Sequence, residues 1–187
     1  MVRQVLILAM VTLLPGIAMS FAAEKTDQNQ PVTSPAGPAD STTPPRVDRI
    51  EIVDKGIVEV QSQTAVDAPN TLTGTRYEST GVKITEKTTT IPLNKGIRFG
   101  IQYKIVGEPA DAKVPLKFVT VFPQGGVTNP KTGKIMSQGS WEASRKIGTH
   151  IVYQGFSDWS RIPGTWVLQI WYKDHKMAEQ KFTIVNP

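Results

Sequence analysis

From Ile97 to Ile105 the chain reads IRFGIQYKI, in which Ile97, Phe99, Ile101, Tyr103 and Ile105 alternate with Arg98, Gly100, Gln102 and Lys104. A period of two gives the segment one buried face and one wet face, the signature of a strand on a sheet that is covered on one side. RIEIVDKGIVEV (49–60) is β-branched and charged by turns, with Lys55-Gly56 as a bulge or bend. VKITEKTTTIPL (82–93) is threonine-rich and has a wet face, whereas VPLKFVTVF (114–122) is apolar on both faces and suits a more central strand. HIVYQGF, TWVLQIWY and KFTIV complete the set. Beyond the first residues, no stretch repeats apolar side chains at three-and-four spacing for the length of a helix. Turn clusters separate the strands at Gly107-Glu108-Pro109, Gly125-Gly126, Asn129-Pro130, Pro163-Gly164 and Lys173-Asp174. Many short strands with turn signals between them indicate a sandwich or a barrel.

The best-defined piece is TWVLQIWYKDHKMAEQKFTIV, an antiparallel hairpin turning around Lys173 to Lys176. Trp166, Leu168, Ile170 and Tyr172 share a face, and Phe182 and Ile184 meet them from the second arm. Trp171 lies on the opposite face and is exposed if the hairpin sits at an edge.

Met1 to Arg3 make a short positive start, Val5 to Leu14 is almost unbroken apolar sequence, and Ser20-Phe21-Ala22 offers small residues for a peptidase. This is the pattern of a secretory signal peptide over 1–22, cleaved after Ala22 or Ala23. The apolar run is shorter than the roughly 20 residues that span a membrane. The processed protein is therefore expected to be periplasmic or secreted, with no stable membrane insertion. No cysteine follows, so the new N-terminus carries no lipid. Residues 23–45 are polar and proline-rich and cannot bury enough surface to offset their ordering entropy, so they are expected to form a disordered tether. Residues 46–187 form one β-sandwich domain of ordinary size. Export normally brings disulfides to small domains, yet the chain has no cysteine, and burial alone must hold the fold.

The net charge is +5, with the basic residues scattered rather than gathered between aromatics, which argues against nucleic acid as a partner. FPQGGVTNPKTGK (122–134) resembles a phosphate loop only in its glycines. Six residues separate Gly126 from Gly133, Ile135 follows Lys134, and no helix begins there, whereas Asn129-Pro130-Lys131-Thr132-Gly133 has the chemistry of a turn. There is no cysteine nucleophile, and the two histidines, His150 in a strand and His175 in a hairpin turn, make a poor metal set. Ser157 and Ser160 precede no nucleophile elbow. Glu142, Asp158 and Glu179 are available for a paired-carboxylate hydrolase, but nothing singles them out. No catalytic residue, cofactor or metal is expected.

The aromatics are more informative. Trp141 and Trp159 stand in polar, loop-like surroundings, SQGSWEASR and GFSDWSRIPG. There they either stack on sugar rings or plug the end of the sandwich, a closure that a domain without disulfides needs. Arg98, the outward residue beside Phe99, either forms a surface ion pair or binds an acidic group.

VDRIEIVDKGIVEV, IPLNKGIRFGIQYKIVG, FPQGGVTNPKTGK and PGTWVLQIWYKDHKMAEQKFTIV together resemble an uncharacterised bacterial family of exported domains, a domain of unknown function. The resemblance covers Val47 to Val185. It implies an all-β, immunoglobulin-like antiparallel sandwich and supplies no activity. The polar stretch from Gln61 to Thr80 departs from it and is expected to be an insertion or extra loop. The function expected from these features is non-catalytic recognition, adhesion or assembly in the cell envelope, with an envelope protein or polysaccharide as partner. The alternatives are a glycan-binding module using Trp141, Trp159 and Arg98, and a hydrolase of envelope polymers.

Overall fold

A computed structural model describes residues 44–187. The expected signal peptide, and the tether apart from Pro44 and Pro45, lie outside the described residues. Strict alternation decides the architecture from β6 (Arg98–Glu108) outward. Its Phe99, Ile101, Tyr103 and Ile105 are all buried, while Lys104 between them is exposed. β6 sits inside a four-stranded sheet, between β11 (Gly148–Gly155) and β1 (Arg46–Glu59), with β4 (Lys83–Lys87) beyond β1. A second sheet has the order β10 (Gln138–Lys146), β7 (Lys113–Val121), β12 (Gly164–Tyr172), β13 (His175–Val185) and β5 (Thr90–Pro92). Every pairing within the two sheets is antiparallel except the three-residue parallel contact of β13 with β5.

The apolar faces meet between the sheets. Phe99 of β6 stands 4.8 Å from Phe182 of β13, ring to ring, and meets Trp166 of β12 edge-on at 6.2 Å. Val114, Leu116 and Phe118 of β7 and Leu168 and Ile170 of β12 complete the layer. The segment read as apolar on both faces, β7, takes a central place between β10 and β12, but along most of its length only one face is buried: Lys113, Pro115 and Lys117 are exposed.

β1 bends where a bulge was expected. Its register slips between Ile52 and Asp54 and again between Ile57 and Val58, on either side of Gly56. Gly56 has φ 153°, and a Cβ there would collide with the Glu86 carbonyl of β4, so the close approach of three strands depends on glycine. The closing hairpin turns at Lys173-Asp174, with Lys173 in the left-handed region at φ 53°. It does not lie at an edge, because β7 covers the other side of β12. Trp171 is accordingly half-buried rather than exposed, its indole N–H donating to Gln169 Oε1 at 3.0 Å.

FPQGGVTNPKTGK is a turn. It contains a two-residue ladder, β8 (Val127–Thr128) with β9 (Ile135–Met136), closed by Asn129 N–H to Lys134 O at 2.9 Å and Gly133 N–H to Asn129 O at 2.8 Å. The stretch from Gln61 to Thr80 is an antiparallel arm, β2 (Ser62–Asp67) with β3 (Thr75–Thr80), paired only with itself.

Candidate functional site

The arm positions the site. β10 and β11 are edge strands of different sheets joined through the single residue Ile147, so the two sheets present adjacent edges there. At its tip the arm buries Leu72, whose carbonyl accepts from Asn129 Nδ2 at 3.2 Å, while the Asn70 carbonyl accepts from Ser140 N–H of β10 at 2.8 Å. At its other end Gln63 Nε2 donates to the Tyr153 hydroxyl of β11 at 2.6 Å, and Ser79 bonds the same hydroxyl. The arm thus straps the β10 edge to the β11 edge. Between them runs a groove of about 1200 Å³.

Trp141, Trp159 and Arg98, named from the sequence, all line this groove. Trp141 is in β10 and not in a loop. Polar sequence around it misled because β10 is an edge strand with one wet face: Glu142, Ser144 and Lys146 are exposed, and Trp141, Ala143 and Arg145 turn inward. Its indole stacks on Phe118 at 4.3 Å, with the Arg76 guanidinium 5.4 Å and that of Arg145 5.8 Å from the ring, so neighbours occupy it from several sides. Trp159 lies in a single 3-10 turn, Asp158–Ser160, half-buried against the core. Its ring has no aromatic or cationic neighbour among the described residues, in contrast to Trp141. Arg98 donates to Gln63 Oε1 at 2.9 Å and to the Gly96 carbonyl at 3.3 Å, holding the arm rather than a carboxylate.

Sequence reasoning missed Arg145, Tyr103 and Tyr77. Arg145 is half-buried. Its guanidinium stands over both Phe118 and Trp141 at 5.8 Å, its one hydrogen bond is a long one to the Ser144 carbonyl, and no carboxylate pairs with it among the described residues. Beside it the Tyr103 hydroxyl is fully buried and has no hydrogen-bond partner. Burial pushes the Tyr103 pKa up to about 12, and the Arg145 charge acts against that rise. The hydroxyl has no partner in hydrogen-bonding geometry, yet the Arg145 guanidinium stands close enough to offset part of its desolvation through charge and a weak hydrogen bond. Tyr77 of the arm is 55 % exposed and lines the groove. Arg145 stands at an inward position of β10, but SQGSWEASRK has no apolar alternation that would mark it. Tyr77 carried no signal either, because TRYEST has no apolar alternation.

The charge in the groove is one-sided. Arg76, Arg98, Lys113, Lys131, Arg145 and Lys146 line it against a single acid, Glu78, which pairs with Arg76 at 2.9 Å. The acids considered from the sequence stand elsewhere. Glu142 is exposed on the wet face of β10, Asp158 is tied to Arg161 at 2.9 Å, and Glu179 is held by Lys176 at 2.6 Å. The Lys176 hydrogen bond, with help from Gln169, holds the Glu179 carboxyl below its usual range. Ser160 spends its hydroxyl inside the turn, accepting from Ser157 N–H at 2.8 Å and donating to the Ser157 carbonyl at 3.1 Å. His150 sits in β11 with Nε2 2.7 Å from the Lys146 carbonyl, and His175 opens β13. Among the described residues no three metal-ligating side chains gather.

No protein-family model matches the chain, and no curated protein matches it. Among solved structures it is similar to an immunoglobulin-like protein from Pseudomonas aeruginosa, at 21 % identity and a TM-score of 0.50, over 78 % of this chain and 99 % of that one. The fold is immunoglobulin-like. At that identity the likeness extends to architecture alone: it supports the immunoglobulin-like fold that the resemblance implied, and no family of exported domains is shown.

Proposed function

We propose that this chain is a non-catalytic recognition module of the cell envelope, exported by its N-terminal segment, that binds its partner in the groove beneath the β2–β3 arm. One observation carries the reading. The groove is built by an element outside both sheets: the arm pairs with no sheet strand, yet it is fastened at both ends across two sheet edges. Ordering those residues costs conformational entropy, and a surface strap over an open groove is the arrangement expected when loops carry recognition on a rigid scaffold. The signal-like start fits export, and the cysteine-free scaffold is held by its apolar interior.

The test is capture. The full chain, immobilised and incubated with fractionated envelope protein and polysaccharide, is expected to retain a partner. A variant with Gln63→Ala and Tyr153→Phe, which frees one end of the arm, should retain less of it. Equal retention by both proteins, or turnover of an envelope polymer by the parent, would overturn the reading.

A further inference from the structure

We infer that the groove takes an acidic polysaccharide, with Arg145 as the principal carboxylate anchor. The inference rests on the recognition reading and names the ligand class.

Arg145 is the first ground. Arg145 is half-buried and lines the groove, its only hydrogen bond is a long one to the Ser144 carbonyl, and no carboxylate pairs with it among the described residues, so most of its fork of donors is open to a ligand. Cation–π contact with Phe118 and Trp141 holds the group in place but leaves its N–H edge unspent. The Tyr103 hydroxyl beside it is a second buried donor with no acceptor. A carboxylate seated on Arg145 would accept from the guanidinium in a bidentate pair. Arg98, Lys113 and Lys146 extend the positive field along the groove, so a polymer with repeated acidic groups suits it better than a single anion.

The remaining lining selects sugar over peptide. Tyr77 and Trp159 offer ring faces free of other rings, and such faces cover the apolar side of a pyranose. Thr75, Gln102 and Thr149 supply hydroxyl and amide groups suited to sugar hydroxyls. An acidic peptide would use the same arginines but would leave these rings and hydroxyls with little to do.

The test uses the full chain and polygalacturonate as probe, followed by tryptophan fluorescence at several salt concentrations. Dextran serves as the neutral glycan and poly-glutamate as the acidic peptide. Polygalacturonate is expected to bind at least about tenfold more tightly than either and to weaken as salt rises. Arg145→Gln should lose about tenfold or more in affinity, Arg98→Gln about threefold, and Tyr77→Ala about fivefold. Tyr77→Ala alters an exposed side chain, so it decides the matter even if Arg145→Gln misfolds. Equal binding of poly-glutamate, preference for dextran, or no binding of polygalacturonate each overturns the inference. In the last two cases retention of some other envelope component by capture leaves the recognition reading standing.

Discussion

Phe99 and Tyr103 lie on the same face of the same strand, four residues apart, and their surroundings differ. Phe99 is enclosed by Phe156, Trp166 and Phe182, and Trp166 also meets Phe122 and Phe156 at 5.1 Å. The one polar atom of Trp166 is satisfied, its indole N–H reaching the Ile162 carbonyl at 3.2 Å. Tyr103 has Phe118 and His150 as ring neighbours, the Arg145 guanidinium near its hydroxyl, and no hydrogen-bond partner in good geometry. The first end is packed for folding alone. The second retains polar groups that folding would do better without, which is where a binding function is expected to show.

Substitutions at the two ends sharpen the contrast. Trp166→Ala removes the largest fully buried side chain and should cost about 3–5 kcal/mol, read from urea unfolding. Trp141→Ala, half-buried at the second end, should cost about 2 kcal/mol and lower the affinity for polygalacturonate by loosening Arg145. Equal costs for the two would erase the distinction. Tyr103→Phe keeps the ring and deletes the unpartnered hydroxyl, so it should stabilise by about 1 kcal/mol. A loss of stability would mean the hydroxyl has a partner after all.

The same residue sets a pH signature. Its folded pKa of about 12 lies above the ordinary 10.0, so its contribution is fully present below pH 10 and is lost as pH rises from 10 towards 12. Tyr103→Phe should lack that part of the alkaline loss, measured as the difference in unfolding free energy between pH 9 and 11. The smallest effect belongs to Glu179. Its folded pKa is depressed, so its stabilisation is present above the ordinary 4.5 and lost as pH falls through the folded value. Glu179→Gln should remove about 0.3 kcal/mol near neutrality, with no further change on acidification.

The sandwich was legible because its central strands are covered on one or both faces, and burial imposes the alternation seen in IRFGIQYKI and TWVLQIWY. The turn at Asn129–Gly133 was legible from residue chemistry alone. The arm was not: β2 and β3 have few buried side chains, so nothing forces an apolar period on them. Trp141 was misplaced for the same reason, since an edge strand needs only its inner face to be apolar. Of the site, the sequence pointed to Trp141, Trp159 and Arg98, and the structure brings them to one groove. Arg145 was passed over because its meaning comes from what is missing around it, and a missing carboxylate is visible only once the strands are assembled.

The account stands on Arg145 serving recognition rather than folding, and the thermal midpoint of Arg145→Gln tests that most directly. The fold draws only cation–π contacts and one long hydrogen bond from this side chain, so the variant should melt within about 4 °C of the parent. Trp166→Ala in the same series should fall well below both. A drop of Arg145→Gln to the level of Trp166→Ala would show that the guanidinium holds the sandwich together, and would contradict the account.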